Sequence, residues 1–430
     1  MRMVISLMNS ITVVDAICGS GKTEFCIQYM NEHGKSTEVK NKLFIYVTPY
    51  LSEIERIKKK CPELEFCDPI NKGAGKLQAL KKLIAAGENI ATTHNLFMNI
   101  DEEVLELLKG AGYVLILDEV LNVINEYQIS KSDMNLLLKG DLCSIDNKML
   151  KWNDDCYTGK FQELKLMSDI GNIYYYRNSF LFWTITPESF RVFEEVFVLT
   201  YLFDGQIQRY FYDLHNISYN MKSVIKEDNM YKLVAYDKKY DNRDKLKSML
   251  DIYEDTERSK LNSNYAKKIT NTTLSSTSLR NMDRDSHIRL KKNIETFFKN
   301  KCNATTKNTF WTTLTAVAPN LKGNYNTFKL CKDKSKYNKD KCNFVSHNAR
   351  ATNSYGNRNC CAYVYNRFMH PIEKAFFEDN NVVVNEDLLA LSDLIQWIFR
   401  GSIRNGVPMQ LYIPSIRMRN LLIKYLNYEI

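Results

Sequence analysis

Long apolar runs are missing from this chain: none approaches the roughly eighteen residues that a membrane-spanning helix needs. Residues 1–7 also lack the extended apolar region and small-residue cleavage site of a secretory signal. The expectation is a soluble protein that stays in the cytoplasm, with no membrane partner. Paired cysteine spacing is missing too. Eleven cysteines, an odd number, are scattered singly apart from Cys360-Cys361, and no Cys-x-x-Cys occurs. That pattern excludes a disulfide framework and points to reduced thiols. Cys302, Cys331, Cys342 and His347 lack the ligand-pair spacing of a zinc site. Glycine (16) and proline (8) are few while Lys, Asn, Ile and Tyr abound, as in proteins of AT-rich genomes.

What is present is ample apolar material, 44% of 430 residues, in a chain longer than one core usually supports. Two domains, or one with a large insertion, are expected. The formal charge is +9. Lys238-Lys239, Lys267-Lys268, Lys291-Lys292, Lys299-Asn300-Lys301 and residues 332–341 carry much of it, so nucleic-acid phosphates are the favoured acidic partner. The lysine-rich composition of an AT-rich genome competes with that reading.

The most informative stretch is Asp15-Ala16-Ile17-Cys18-Gly19-Ser20-Gly21-Lys22-Thr23, directly after the apolar run Ile11-Thr12-Val13-Val14. It reads as strand, phosphate loop and helix start. Gly19, Ser20 and Gly21 let backbone N–H groups face phosphates, Lys22 reaches the β- and γ-phosphates, and the Thr23 hydroxyl meets Mg²⁺ at the positive end of the helix. The expected ligand is ATP with Mg²⁺. About a hundred residues on, the apolar strand at 113–117 ends in Asp118-Glu119. A carboxylate at the carboxyl end of a buried parallel strand is where the metal must be met. This assigns Asp118 to Mg²⁺ and Glu119 to orienting and deprotonating the attacking water. Two adjacent acids favour hydrolysis over transfer to a substrate hydroxyl.

Between these motifs strand and helix alternate: a strand at 42–47, a helix at 51–60, a basic helix within 73–87 and a strand at 89–93. Such alternation predicts an α/β fold with a doubly wound parallel sheet. Thr48-Pro49 and Thr92-Thr93-His94 then fall at the ligand-facing edge.

This order of motifs resembles the first RecA-like domain of superfamily 2 helicases, in which Ala often replaces the first loop glycine, as Ala16 does here. The resemblance implies that Thr48, Pro49, Thr92 and Thr93 contact the nucleic-acid backbone. It also implies that Thr200, in Leu199-Thr200-Tyr201, couples nucleotide state to strand binding. The segment from Leu181 to Gly205 resembles helicase-like proteins of phages of Gram-positive bacteria. A second apolar-patterned unit has strand patterns at 309–317, 344–346, 361–365 and 410–413 and a helix at 387–399. Gln396, Arg400 and Arg404 there resemble the helicase Gln-x-x-x-Arg motif, with one extra residue between the arginines. The implied roles are γ-phosphate contact for the arginines, Arg404 before Arg400, because a guanidinium neutralises charge as the γ-phosphate leaves. Arg350 falls where the family links ATP to nucleic acid, or else caps a surface turn.

The expected architecture is thus two RecA-like domains, residues 1–205 and 309–430, joined by a partly mobile polar linker or insertion at 206–308, in which 259–286, rich in Asn, Ser, Thr and Lys with almost no aliphatic residues, reads as exposed. The implied function is an ATP-dependent translocase or helicase in phage replication or recombination, with replication proteins as further partners. DNA is favoured over RNA because an Asp-Glu-Ala-Asp box and its upstream adenine-reading Gln motif are missing. An ATP-switched clamp that remodels nucleic acid without unwinding it is the alternative, and a small-molecule kinase is a third.

Overall fold

Runs of β-branched and aromatic residues that read as continuous apolar segments are what strands covered on both faces require, and the chain uses them to build two parallel sheets. The computed structural model describes residues 10–34, 42–71, 73, 75–321, 343–347 and 355–430. These divide into two compact units: residues 1–237 with 370–384, and residues 238–369 with 385–430.

In unit 1 the strands β1 (Ser10–Asp15), β2 (Leu43–Thr48), β3 (Ile90–Thr93), β4 (Tyr113–Asp118), β5 (Glu195–Thr200), β6 (Asn220–Glu227) and β7 (Met230–Ala235) form one sheet in the order β7-β6-β1-β5-β4-β2-β3. All neighbours are parallel except the β6–β7 hairpin. Alternate residues feed two separate cores. Val13, Ile45, Leu115 and Val198 lie in one, Val14, Phe44, Val114 and Leu199 in the other. Helix α1 (Lys22–His33) leaves the loop that follows β1 and buries Cys26, Ile27 and Met30.

Directly after β4 the chain departs into an antiparallel five-stranded sheet, ordered Ile124–Tyr127, Phe180–Thr184, Ile173–Tyr176, Met149–Trp152, Cys143–Asp146. It has its own apolar core around Leu150, Leu164 and Leu181. Helix α2 (Ile207–Leu214) returns to the main sheet, burying Tyr210, Phe211 and Tyr212. A helix from much later in the chain, Pro371–Glu378, completes this unit. Its Phe376 ring packs 5.0–5.5 Å from the rings of Tyr174, Tyr176 and Phe182, and Asp379 accepts from the Tyr176 hydroxyl and Arg177.

Unit 2 holds an all-parallel sheet of β8 (Leu250–Ile252), β9 (Thr309–Thr312), β10 (Cys360–Tyr363) and β11 (Met409–Tyr412), in the order β8-β11-β10-β9. Phe344 bridges to Trp311 on the far side of β9. Helices α3 (Arg284–Thr296) and α4 (Glu386–Ile398) pack within this unit.

Three sequence expectations are corrected. Residues 206–308 are not a linker: through Asp237 they complete the first sheet, and from Lys238 they open the second unit. The polar stretch at 259–286 is pinned by Leu261, Tyr265, Leu274 and Leu279, each at most 5% exposed. Its polar groups are bonded within the stretch, as in Thr270 N to Thr273 Oγ1, and to its flanks, as in Asn262 N to Asp255 Oδ1 and Leu261 O from Asn293 Nδ2. The true insertion lies at 124–184. Residues 370–384, expected in the second domain, belong to the first unit because their aromatics pack there.

Candidate nucleotide site

Within unit 1, β1 delivers the chain to a loop whose shape glycine makes possible. Gly19 (φ +82°) and Gly21 (φ +98°) occupy backbone conformations that L side chains rarely adopt. Gly21 caps α1 without any side-chain hydrogen bond, so the first-turn amides of that twelve-residue helix are not consumed by a capping side chain. A Cβ at Gly21 would also meet the ring of Tyr231 at 2.0 Å. Gln28 of α1 holds that tyrosine through both its backbone groups, accepting from Tyr231 N at 2.9 Å and donating to Tyr231 O at 3.3 Å. The β6–β7 hairpin is thereby pinned against the loop.

Lys22 Nζ donates to Ala16 O (2.5 Å) and Ile17 O (3.1 Å), carbonyls of the same loop. Thr23 Oγ1 donates to Asp118 Oδ1 at 3.3 Å, bringing together two motifs 95 residues apart. The other carboxylate oxygen accepts from the Tyr46 hydroxyl at 2.7 Å. His94 Nε2 lies 3.1 Å from the Asp118 carbonyl oxygen, which only accepts, so this nitrogen carries the proton. Glu119 stands at φ +77°, an uncommon conformation for a residue with a Cβ, and its N–H bonds Leu199 O at 3.0 Å. Backbone strain of this kind concentrates where function over-determines the structure. The Glu119 carboxylate makes no hydrogen bond or ion pair among the described residues.

These groups suit a nucleotide and its cation on their own chemistry. Thr23 and Asp118 present hard oxygen donors, as Mg²⁺ requires. Ser20 Oγ is enclosed yet without a hydrogen-bond partner among the described residues. A phosphate oxygen would satisfy it.

Burial, and then the neighbouring Glu119, push the Asp118 carboxyl up to about 6 from its ordinary 3.8, against the opposing pull of the Tyr46 hydroxyl and Lys22. Since the folded pKa is the raised one, the protonated carboxyl stabilises the fold below about 4, and that contribution is lost as pH climbs through about 6. A cation can restore it only where the carboxylate is ionised. The melting-temperature gain from Mg²⁺–nucleotide is therefore expected to be large near pH 7.5 and to shrink below about pH 6. Asp118→Asn should remove both the gain and its pH dependence.

The residues expected at nucleic acid are placed differently. Thr48, Thr92 and Thr200 are each at most 2% exposed, so their hydroxyls sit inside the sheet and cannot meet a phosphate backbone in this arrangement. The Thr48 and Thr200 Oγ1 atoms are enclosed without partners among the described residues. Thr93 is half-buried and caps the next helical turn by accepting from Leu96 N. Pro49 is half-buried. Arg350, like Cys331 and Cys342, lies outside the described residues.

In unit 2, Gln396 lies on α4 and donates to Ser392 Oγ at 3.2 Å. Neither arginine lies on this helix: α4 ends at Ile398, where the Gly401 N–H bonds Ile398 O. A Cβ at Gly401 would lie 2.2 Å from the Met409 methyl and 2.7 Å from the Phe310 ring, so a side chain here would have to displace both. Arg400 is buried beyond the helix end, whereas Arg404 is exposed on the 3₁₀ turn Ser402–Asn405.

Sequence reasoning gave no role to Tyr46, His94 or Asp15 and missed the Gln28–Tyr231 clasp. Asp15 accepts from Leu202 N (2.9 Å) and Phe203 N (2.8 Å), tying the end of the loop strand to the turn after β5. A polar residue inside an otherwise apolar strand was the available signal for Asp15 and Tyr46. The clasp, formed across 203 residues, left none.

Comparison with known proteins places this geometry. The model of the YonV C-terminal Rossmann-like domain matches residues 244–426, and that of the YonV middle domain matches residues 124–183, the inserted sheet. The "SPbeta prophage-derived uncharacterized protein YonV" of Bacillus subtilis (strain 168) is 36% identical over 436 residues, spanning 98% of this chain and all of that protein. Among solved structures, a chain described as "XPD_Helicase" is similar at TM-score 0.51 and 13% identity, over 98% of this chain and 96% of its own. Xpd4 of S. tokodaii is similar at TM-score 0.52 and 12% identity, over 99% and 96%. No helix among the described residues is long and apolar enough to cross a membrane. The fold is that of two RecA-like parallel-sheet domains, as in XPD-type helicase chains, and the protein belongs to the YonV family.

Proposed function

We propose that this protein hydrolyses ATP and uses it to move along nucleic acid as a superfamily 2 motor. DNA is the proposed track, and phage replication or recombination the proposed setting. The observation that carries the reading is the Thr23–Asp118 contact at 3.3 Å, which joins the end of the phosphate loop to the acid of β4 beside Lys22 and Glu119. Gly19, Ser20, Gly21, Lys22 and Thr23 would cradle the phosphates. Thr23 and Asp118 would hold Mg²⁺, which neutralises charge on the β- and γ-phosphate oxygens when bound. Glu119 would take the proton of the attacking water, and Arg404 would answer the charge on the γ-phosphate. The phage setting rests on the prophage-derived relative.

The experiment is steady-state ATP hydrolysis alone and with single-stranded DNA, duplex DNA and RNA. Stimulation severalfold or more by DNA above RNA is the expected result. Hydrolysis indifferent to all three would favour a nucleotide-switched clamp, and phosphoryl transfer to an added acceptor would favour a kinase.

A further inference from the structure

The net charge of the chain conceals a division. Unit 1, which holds the phosphate loop, carries 27 Lys and Arg against 35 Asp and Glu, a net −8. Unit 2 carries 32 against 15, a net +17. A lysine-rich codon bias would raise the basic count of both units alike and does not produce opposite signs. Charge asymmetry of this size between two parts of one chain is the footprint of a polyanionic partner on the basic part.

Just under half of the unit 2 excess, +8 of +17, lies before Thr309. Residues 238–308 hold 17 basic and 9 acidic residues. Helix α3 turns Ser286, His287, Leu290, Asn293 and Ile294 inward. Its outer face bears exposed Arg284, Arg289 and Lys292, with half-buried Lys291, against Asp285 and Glu295. The helical spacing sets Arg284, Lys292 and Arg289 within an arc of about 140°. The next turn adds exposed Lys299 and Lys301. Asn293 of α3 donates to Leu261 O (2.8 Å) and Asn264 Oδ1 (2.6 Å), holding the adjoining loop against the helix. Three residues beyond Asn264, that loop exposes Lys267 and Lys268.

Resting on the nucleic-acid reading above, we infer that the outer face of α3 and the loop carrying Lys267 and Lys268 form the main phosphate-backbone grip of this protein. The acidic unit 1 contributes little to that affinity. The grip is electrostatic and indifferent to base sequence, so its strength falls steeply with salt.

The test is binding of a fluorescent single-stranded DNA oligonucleotide across a salt series, with a fluorescent ATP analogue measured on the same samples. Replacing three cations by Arg284→Glu, Arg289→Glu and Lys292→Glu should weaken oligonucleotide binding about a hundredfold near 0.1 M salt and flatten the log–log salt slope by about 2. The neutral triple variant with Gln at these positions should flatten the slope similarly, which separates lost contacts from repulsion or misfolding. ATP-analogue affinity should stay within about twofold, since these residues lie outside the nucleotide site. Lys109→Glu with Lys139→Glu, exposed cations of unit 1, should change oligonucleotide binding by less than about twofold. If wild type binds and the triple variants bind equally well with the same slope, the surface assignment falls alone. If the unit 1 variants weaken binding as much, it falls as well. Wild type that retains no oligonucleotide at low salt sinks the nucleic-acid reading itself, and retention on anionic-lipid vesicles instead would reassign the face to a membrane surface.

Discussion

Lys22→Ala is expected to cut ATP turnover by at least about a hundredfold, the scale on which losing one positioned charge donor acts on a transition state. The ammonium sits on two carbonyls of its own loop, Ala16 O and Ile17 O. It can exchange those contacts for phosphate oxygens without moving the backbone. Alanine removes the donor and leaves the loop shape, because that shape comes from Gly19, Gly21 and the Tyr231 ring packed on Gly21. The stability loss should be about that of one or two partly exposed hydrogen bonds, roughly 1 kcal/mol, a shift of a few degrees at most in a protein this large. Initial rates of phosphate release at saturating and subsaturating ATP, read beside a melting curve, check both halves. Turnover at the wild-type level would remove the phosphate-loop argument. Glu119→Gln should behave differently, retaining bound ATP while turnover is lost, since the carboxylate has no bond whose removal would disturb the loop.

Whether a residue's place could be read from sequence depended on how its surroundings are built. Strands β1, β2 and β4 were legible because a parallel strand buried on both faces must be apolar throughout, and each ends in polar residues at one edge of the sheet. The meeting of Thr23 with Asp118 followed from that edge rule alone. The inserted sheet was not legible. Its strands are four or five residues long, and one of them, Cys143–Asp146, buries only its first residue, so no periodicity accumulates. At 259–286 the misreading came from counting aliphatic residues. Four buried anchors suffice there because threonine and asparagine side chains satisfy the turns that a longer apolar run would otherwise have packed. The threonines expected at nucleic acid were assigned from the resemblance to helicase motifs, which places them at strand ends. Both faces of β2 are covered along its length, so Thr48 is buried at the last strand position, and no motif records how far that cover extends.

Arg404→Ala is expected to slow hydrolysis by about a thousandfold or more, the range in which an arginine placed on a transferring phosphoryl group acts. Nucleotide affinity should change only severalfold, because such a contact strengthens as charge moves onto the γ-phosphate rather than in the bound ground state. The structure separates this residue from Arg400 on physical grounds. Arg404 is exposed on a short 3₁₀ turn, where loss of its side chain removes little packing. Arg400 is only 7% exposed and, after burial and Arg367, adds to the lowering of the half-buried His347 pKa, so its removal takes both stem packing and a buried charge from the interior of unit 2. Arg400→Ala should therefore lower the melting temperature by several degrees, with any loss of turnover following from that, while Arg404→Ala melts as wild type does. Single-turnover hydrolysis with pre-bound ATP, compared with melting curves for both variants, distinguishes the two. A thousandfold defect in Arg400→Ala at wild-type stability would exchange their roles. Unchanged turnover in both would leave the second unit without a part in hydrolysis, which would then rest on Lys22, Asp118 and Glu119 of the first.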